Sequence, residues 1–72
     1  MNPDLSKLTH TEKRVLQLVA ADFPPNEIGE SLGITVRTVA VHKHNIRKKL
    51  GVKTDVGLYR AFYHIPAHST DP

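Results

Sequence analysis

Apolar residues recur three and four positions apart in four stretches of the chain, the spacing that places side chains on one face of an α-helix. Each stretch is preceded by a capping residue or a proline and followed by a glycine or a proline. The pattern predicts an all-α fold of four helices, at about 9–22, 25–32, 35–50 and 54–64.

The first helix is predicted from a capping box that runs from Thr9 to Glu12. The Thr9 hydroxyl can accept a hydrogen bond from the Glu12 amide, and the Glu12 carboxylate can accept one from the Thr9 amide. Val15, Leu16 and Val19 then continue the apolar face.

The second and third helices form a helix-turn-helix pattern over about 24–43. Pro25 suits the first position of a helix, and Gly33 suits the position just after a helix ends. Gly29 lies inside the second helix, where it costs about 1 kcal/mol relative to alanine. A tight helix crossing explains that glycine, and simple tolerance explains it nearly as well. Thr35 is predicted to N-cap the third helix.

The third helix has an apolar side and a basic side. At about 100° per residue, the apolar side is formed by Val39, His42, Ile46 and Leu50. The opposite side carries Arg37, Ala40, Val41, His44, Arg47 and Lys48, and Lys43 and Lys49 border the apolar stripe. Residues 35–50 hold five of the ten Lys and Arg residues and no acid. A cationic helix with small residues near its N-terminal end fits the major groove of DNA, whose walls are phosphates.

The fourth helix is predicted between the cap Thr54 and Pro66, with Asp55 complementing the helix dipole in the first turn. One of its stripes consists of Leu58, Ala61, Phe62 and Ile65. A second stripe consists of Val56, Tyr59 and Tyr63. This second stripe is interpreted either as a dimer face or as a surface that packs partly on the protein's own core.

A chain of 72 residues allows one domain with a modest core. We expect a flexible lead or linker end at 1–7, the folded domain at 8–65 and a disordered tail at 66–72. No apolar run approaches the roughly 20 residues of a membrane span, and no secretory signal opens the chain. The expected location is therefore the cytoplasm, with no membrane partner.

The sequence contains no recognisable catalytic or metal-binding constellation, so neither an enzyme activity nor a cofactor is predicted. The chain has no cysteine, which excludes disulfides, thiolate nucleophiles and cysteine zinc sites. It also lacks a glycine-rich phosphate loop and a nucleophile elbow. His42 and His44 point to opposite sides of their helix, and Pro66 separates His64 from His68. We interpret His42 as a core-edge histidine with one hydrogen bond, in preference to a phosphate contact.

A series of spaced motifs carries a family resemblance. It runs through Leu8-Thr9-x-x-Glu12-x-x-Val15-Leu16, Glu27-Ile28, Leu32-Gly33-Ile34, Thr38-Val39-x-x-His42, Ile46 and Lys49-Leu50-Gly51-Val52. Over about 8–62 the chain resembles the LuxR/FixJ-type (GerE-like) helix-turn-helix domain of bacterial transcription regulators. The resemblance implies a four-helix unit that binds an inverted repeat in double-stranded DNA as a homodimer, often with the fourth helix at the dimer contact.

The resemblance places Ala40, Val41 and His44 at base edges. Phosphate contacts are expected from Thr35, Arg37, Thr38, Lys43, Arg47 and Lys48. The chain departs from the family pattern at Ala40 (often Lys or Arg), Asp22 (usually Gly), Pro24-Pro25 (usually a Ser/Thr cap and Asn), Gly29 (usually Ala) and Gly57 (often Glu). Ala40 removes an expected guanine contact, and the other departures are expected to weaken the second and fourth helices.

Two other functions compete with DNA binding, and the pattern leaves one of them open. A helix-turn-helix unit can instead dock on RNA polymerase or on a partner regulator, and its binding would survive salt and follow the face formed by Tyr59 and Tyr63. A nonspecific RNA or membrane-surface binder is disfavoured, because the chain lacks an aromatic stacking platform and a broad apolar face. In relatives with two domains, an N-terminal signal-receiving domain would be a further partner.

Overall fold

The computed structural model describes residues 5–63 of the chain, and this range forms four α-helices and no strand. The helices are α1 (His10–Ala20), α2 (Pro25–Leu32), α3 (Val36–Leu50) and α4 (Asp55–Phe62). The prediction of an all-α, four-helix domain is therefore confirmed. The expectations for His64, Ile65 and the tail at 66–72 lie outside the described residues.

Helices α1, α3 and α4 each begin one residue later than predicted, because the threonine that opens each predicted helix is its N-cap. The Thr35 hydroxyl accepts from the Thr38 amide at 3.1 Å, and the Thr54 hydroxyl accepts from the Gly57 amide at 3.1 Å. The N-cap residue itself has an extended backbone, so the helix proper starts one residue later.

The capping box at the start of α1 is confirmed in both directions. The Glu12 amide donates to Thr9 Oγ1 at 3.1 Å, and the Thr9 amide donates to Glu12 Oε1 at 2.9 Å. Two amides that have no partner within the helix are thereby satisfied.

At its other end, α1 stops at Ala20, two residues before the predicted boundary. Asp22 adopts a left-handed conformation with φ of 69°, and it is the one non-glycine residue of 5–63 with a positive φ. Its amide donates to the Val19 carbonyl at 3.0 Å, and the Phe23 amide donates to the Leu18 carbonyl at 3.1 Å. These bonds close the helix end as a Schellman motif. Glycine adopts this conformation at least cost, which explains why the resembled family favours glycine here.

The core lies where α1 meets α3 and α4. Its buried cluster consists of Leu8, Val15, Leu16, Ile46 and Leu58. Half-buried residues pack against this cluster: Leu5, Val19, Leu32, Leu50, Val52 and Phe62. On α3, Val39 and Ile46 are fully buried, as the apolar stripe predicts. The other helices cover that side of α3 and leave its basic side in solvent.

Residues Leu5–Lys7, which the sequence pattern assigns to a flexible lead, form one turn of 3₁₀ helix. The Leu8 amide donates to the Leu5 carbonyl at 3.1 Å, and the Leu5 side chain packs half-buried against the core. Burial of an apolar side chain is the physical reason for this order. Among the described residues, no helix is long and apolar enough to cross a membrane.

Candidate nucleic-acid interface

The backbone of the turn between α2 and α3 packs directly against Gly29. A Cβ atom added at Gly29 would lie 2.6 Å from the Ile34 carbonyl oxygen. The Gly29 carbonyl in turn accepts from the Ile34 amide at 2.9 Å and from the Gly33 amide. The close approach at Gly29 is therefore made by the turn itself and not by a crossing helix, which corrects that interpretation. A glycine here lets the turn close tightly and fixes the start of α3 relative to α2.

The uncovered side of α3, hereafter the outward face, holds all three predicted base-contact residues. Ala40, Val41 and His44 are exposed there, together with Arg37 and Lys48. Val41 is 53% exposed, so an apolar side chain stands in solvent between cations. Apolar contact with the thymine methyl group is one way in which a major-groove helix reads sequence.

Lys43 and Arg47 lie at the edge of the outward face, where α4 begins. Lys43 Nζ contacts Asp55 Oδ2 at 2.7 Å, and Arg47 Nη1 contacts Asp55 Oδ1 at 3.2 Å. Their side chains are 16% and 27% exposed, whereas the Asp55 side chain is 50% exposed. Both predicted phosphate ligands are thus already paired with a carboxylate of their own chain.

Lys49 lies at the opposite edge of α3 and is paired with Glu12 of α1. Lys49 Nζ is 2.7 Å from Glu12 Oε1, and Glu12 is only 5% exposed. Burial raises the pKa of Glu12, but hydrogen bonds from Lys49 and from the Thr9 amide, together with the lysine charge, outweigh it. The net effect is a pKa below the ordinary value for a glutamate.

Three of the five basic residues of α3 are therefore engaged with acids of the same domain. Arg37 and Lys48 make no ion pair with any residue of 5–63. They are the cations most directly offered to an external anion.

The two threonines predicted to contact phosphates form part of the cap of α3. Thr35 Oγ1 accepts from the Thr38 amide and donates to Thr38 Oγ1 at 3.0 Å. Thr35 is exposed and Thr38 is half-buried. A phosphate at this position would meet hydroxyls that already hold the start of the helix.

His42 is half-buried on the apolar side of α3, as predicted. Its imidazole ring makes no hydrogen bond with any residue of the described range. The expected single bond is therefore not found there.

The second stripe of α4 faces solvent. Val56 is 60% exposed, Tyr59 45% and Tyr63 48%, and the two tyrosine rings lie 4.9 Å apart between centroids. They border an open groove whose other wall includes Phe23, itself 44% exposed. This exposure favours an interaction surface over packing on the protein's own core, and the dimer role stays a prediction.

Comparison with known proteins identifies the family. Residues 6–62 match the family described as bacterial regulatory proteins, luxR family. The chain is 45% identical over 53 residues to the transcriptional regulatory protein MctR of Rhizobium johnstonii, covering 74% of this chain and 25% of that protein. It is 39% identical over 56 residues to the transcriptional regulatory protein UhpA of Escherichia coli, covering 78% and 29%.

The oxygen regulatory protein NreC of Staphylococcus aureus is 40% identical over 47 residues, which are 65% of this chain and 22% of that protein. The chain thus spans about a quarter of the length of these curated relatives. The matched region coincides with the four helices and with the basic face of α3. The chain therefore belongs to the LuxR family of bacterial regulatory proteins and carries the helix-turn-helix DNA-binding domain of that family.

Proposed function

We propose that this domain binds double-stranded DNA sequence-specifically as a transcription regulator or response-regulator output domain, with α3 in the major groove. The observation that carries this proposal is the outward face. It combines Arg37 and Lys48, which have no ion pair within 5–63, with exposed Val41 and the small Ala40, and residues 35–50 contain no acid. Cations at the edges of a recognition helix hold phosphates, and the central side chains read bases.

The division of labour follows from position on α3. Ala40, Val41 and His44 read base edges. Arg37 and Lys48 contact phosphates directly, while Lys43 and Arg47 reach phosphates only when Asp55 releases them. Thr35 and Thr38 present their hydroxyls at the helix start.

The DNA site is an inverted repeat occupied by a homodimer, and Val56, Tyr59 and Tyr63 form the dimer face. Their exposure on one side of α4 supports this assignment. Two-fold symmetric proteins of this class bind half-sites spaced by one helical turn or by a multiple of it. RNA polymerase and an N-terminal signal-receiving domain are further partners, and the protein acts in the bacterial cytoplasm.

Replacing Lys48 with alanine separates phosphate contact from base reading. We expect the Lys48→Ala variant to bind every duplex more weakly and to lower the magnitude of the slope of log K against log salt by about 0.9. Val41→Ala should leave that slope unchanged and reduce discrimination at one base pair by about 1 kcal/mol. Fluorescence anisotropy with matched duplexes over a salt series measures both quantities.

Lys13→Ala is the control. Lys13 is exposed on α1, so this substitution removes the same charge at a position outside the outward face. It should change the slope little. Equal slopes for Lys48→Ala and Lys13→Ala would remove Lys48 from the interface. Binding that survives high salt and is lost in Tyr59→Ala would favour a protein-interaction module instead.

A further inference from the structure

We propose that Asp55 acts as an internal phosphate substitute, which holds two cations of α3 and thereby limits the affinity of the domain for arbitrary DNA. This inference rests on the proposed DNA-binding function and assigns it a residue outside the recognition helix. Asp55 is thus a specificity-determining residue that tunes how much of the binding is independent of sequence.

The geometry of this site resembles a phosphate contact. One carboxylate takes both cations, with Lys43 Nζ at Oδ2 and Arg47 Nη1 at Oδ1, at 2.7 and 3.2 Å. Lys43 and Arg47 are four residues apart and lie on one line along α3, the arrangement in which both reach a single anion. Arginine and lysine contact carboxylates and phosphates with the same donors.

Asp55 is held in place by its own helix. It is the first residue of α4, directly after the cap Thr54, whose hydroxyl accepts from the Gly57 amide. A carboxylate in the first turn also interacts favourably with the helix dipole. The anion therefore stays at the edge of the outward face whether or not DNA is present.

The consequence for binding follows from counterion release. Each cation that neutralises a phosphate contributes about 0.9 to the salt slope, and this contribution does not depend on sequence. Asp55 offsets one of their two positive charges and engages the donor groups of both, so Lys43 and Arg47 make few phosphate contacts while they are paired with it. Arg37 and Lys48 remain unpaired among the described residues, so nonspecific binding depends mainly on them, and base contacts gain relative weight.

The test compares Asp55→Asn with wild type, because asparagine keeps the shape and removes the charge. We expect Asp55→Asn to bind a duplex of arbitrary sequence about fivefold more tightly or better at low salt, and to steepen the salt slope by about one to two units. It should also elute later from a heparin column, which presents a polyanion without base edges. Circular dichroism confirms that the variant is folded.

Glu30→Gln is the matched control, since Glu30 is an exposed acid on α2 with no ion pair among the described residues. It produces the same change in net charge, but it should change duplex binding and heparin retention much less than Asp55→Asn does.

Lys43→Gln supplies a double-mutant cycle. We expect it to change the slope little in wild type and to lower its magnitude by about 0.9 in the Asp55→Asn background.

The outcomes separate this assignment from the DNA-binding proposal. A gain confined to Asp55→Asn on both duplex and heparin, with the expected cycle, supports it. A gain of equal size in Glu30→Gln, or an unchanged or weaker Asp55→Asn, overturns it. If neither wild type nor Asp55→Asn binds any duplex, the DNA-binding proposal fails. The assignment of Asp55 as the group that offsets positive charge on α3 still stands if heparin retention distinguishes Asp55→Asn from Glu30→Gln.

Discussion

The Gly29→Val variant is expected to lose about 3 kcal/mol of unfolding free energy or more. Any Cβ at this position would lie 2.6 Å from the Ile34 carbonyl oxygen, and backbone yields less readily than a side chain. Valine adds two methyl groups to that overlap. It also has a lower helix propensity than alanine. Domains of this size have roughly 3–5 kcal/mol of stability from their core, so most of the variant should be unfolded or nearly so at 37 °C.

Two control variants separate the turn from ordinary helix effects. Gly29→Ala places the same Cβ 2.6 Å from the Ile34 carbonyl oxygen, so it should also destabilise, but by less than valine, because it adds no γ-methyl groups and gains about 1 kcal/mol of helix propensity. Ser31→Val places the same side chain on an exposed position of α2 and should change stability by about 0.5 kcal/mol or less. Urea unfolding followed by circular dichroism gives all three values. A Gly29→Val variant as stable as Ser31→Val would show that the turn does not rest on Gly29.

Replacing Glu12 with alanine is expected to cost about 2–3 kcal/mol. The substitution removes the acceptor for the Thr9 amide and the partner of Lys49, and loss of one member of a buried pair leaves the other unsatisfied. Lys49 is 36% exposed at its side chain, so water recovers part of that loss. Glu12→Gln keeps an acceptor for the capping box and should cost about half as much.

The same pair predicts an acid dependence of stability. The pKa of Glu12 is lowered in the folded state, so its contribution is fully present above the unfolded pKa of about 4.3. It is lost as pH falls through the lower folded value, because the folded state must then bind the proton against the Lys49 charge. The stability difference between wild type and Glu12→Gln should therefore be largest near neutral pH and shrink below about pH 4.

Thermal unfolding across this pH range measures the effect. Glu30→Gln again provides the control, since it makes the same chemical change at an exposed carboxylate that has no ion pair within 5–63. A constant difference between wild type and Glu12→Gln down to low pH would mean that the Glu12 charge does not contribute to stability.

Local signals in the sequence predicted most of the fold. The capping residues Thr9, Thr35 and Thr54 act within three residues of themselves, so each helix start is readable to within one position. The apolar spacing on α3 likewise identified Val39 and Ile46 as buried. The end of α1 was missed because Asp22 takes a conformation that glycine usually signals.

Contacts between distant residues were not readable from local pattern. Glu12 was identified as a cap residue, but its partner Lys49 is 37 positions away. Asp55 was assigned to the helix dipole, and its two partners on α3 became evident only when α4 was placed beside them. An acid at the start of α4, which follows the basic helix α3, is the one local feature that could have indicated these two ion pairs.

The measurement that tests the central claim most directly is selection of duplexes from a random pool, at about 50 and 200 mM salt, followed by sequencing. We expect enrichment of an inverted repeat and an affinity that falls steeply between the two salt concentrations. The protein should also be tested fused to a dimerising segment, since the chain spans about a quarter of its curated relatives. Absence of any enriched sequence in both forms, or binding indifferent to salt, would contradict sequence-specific recognition through α3.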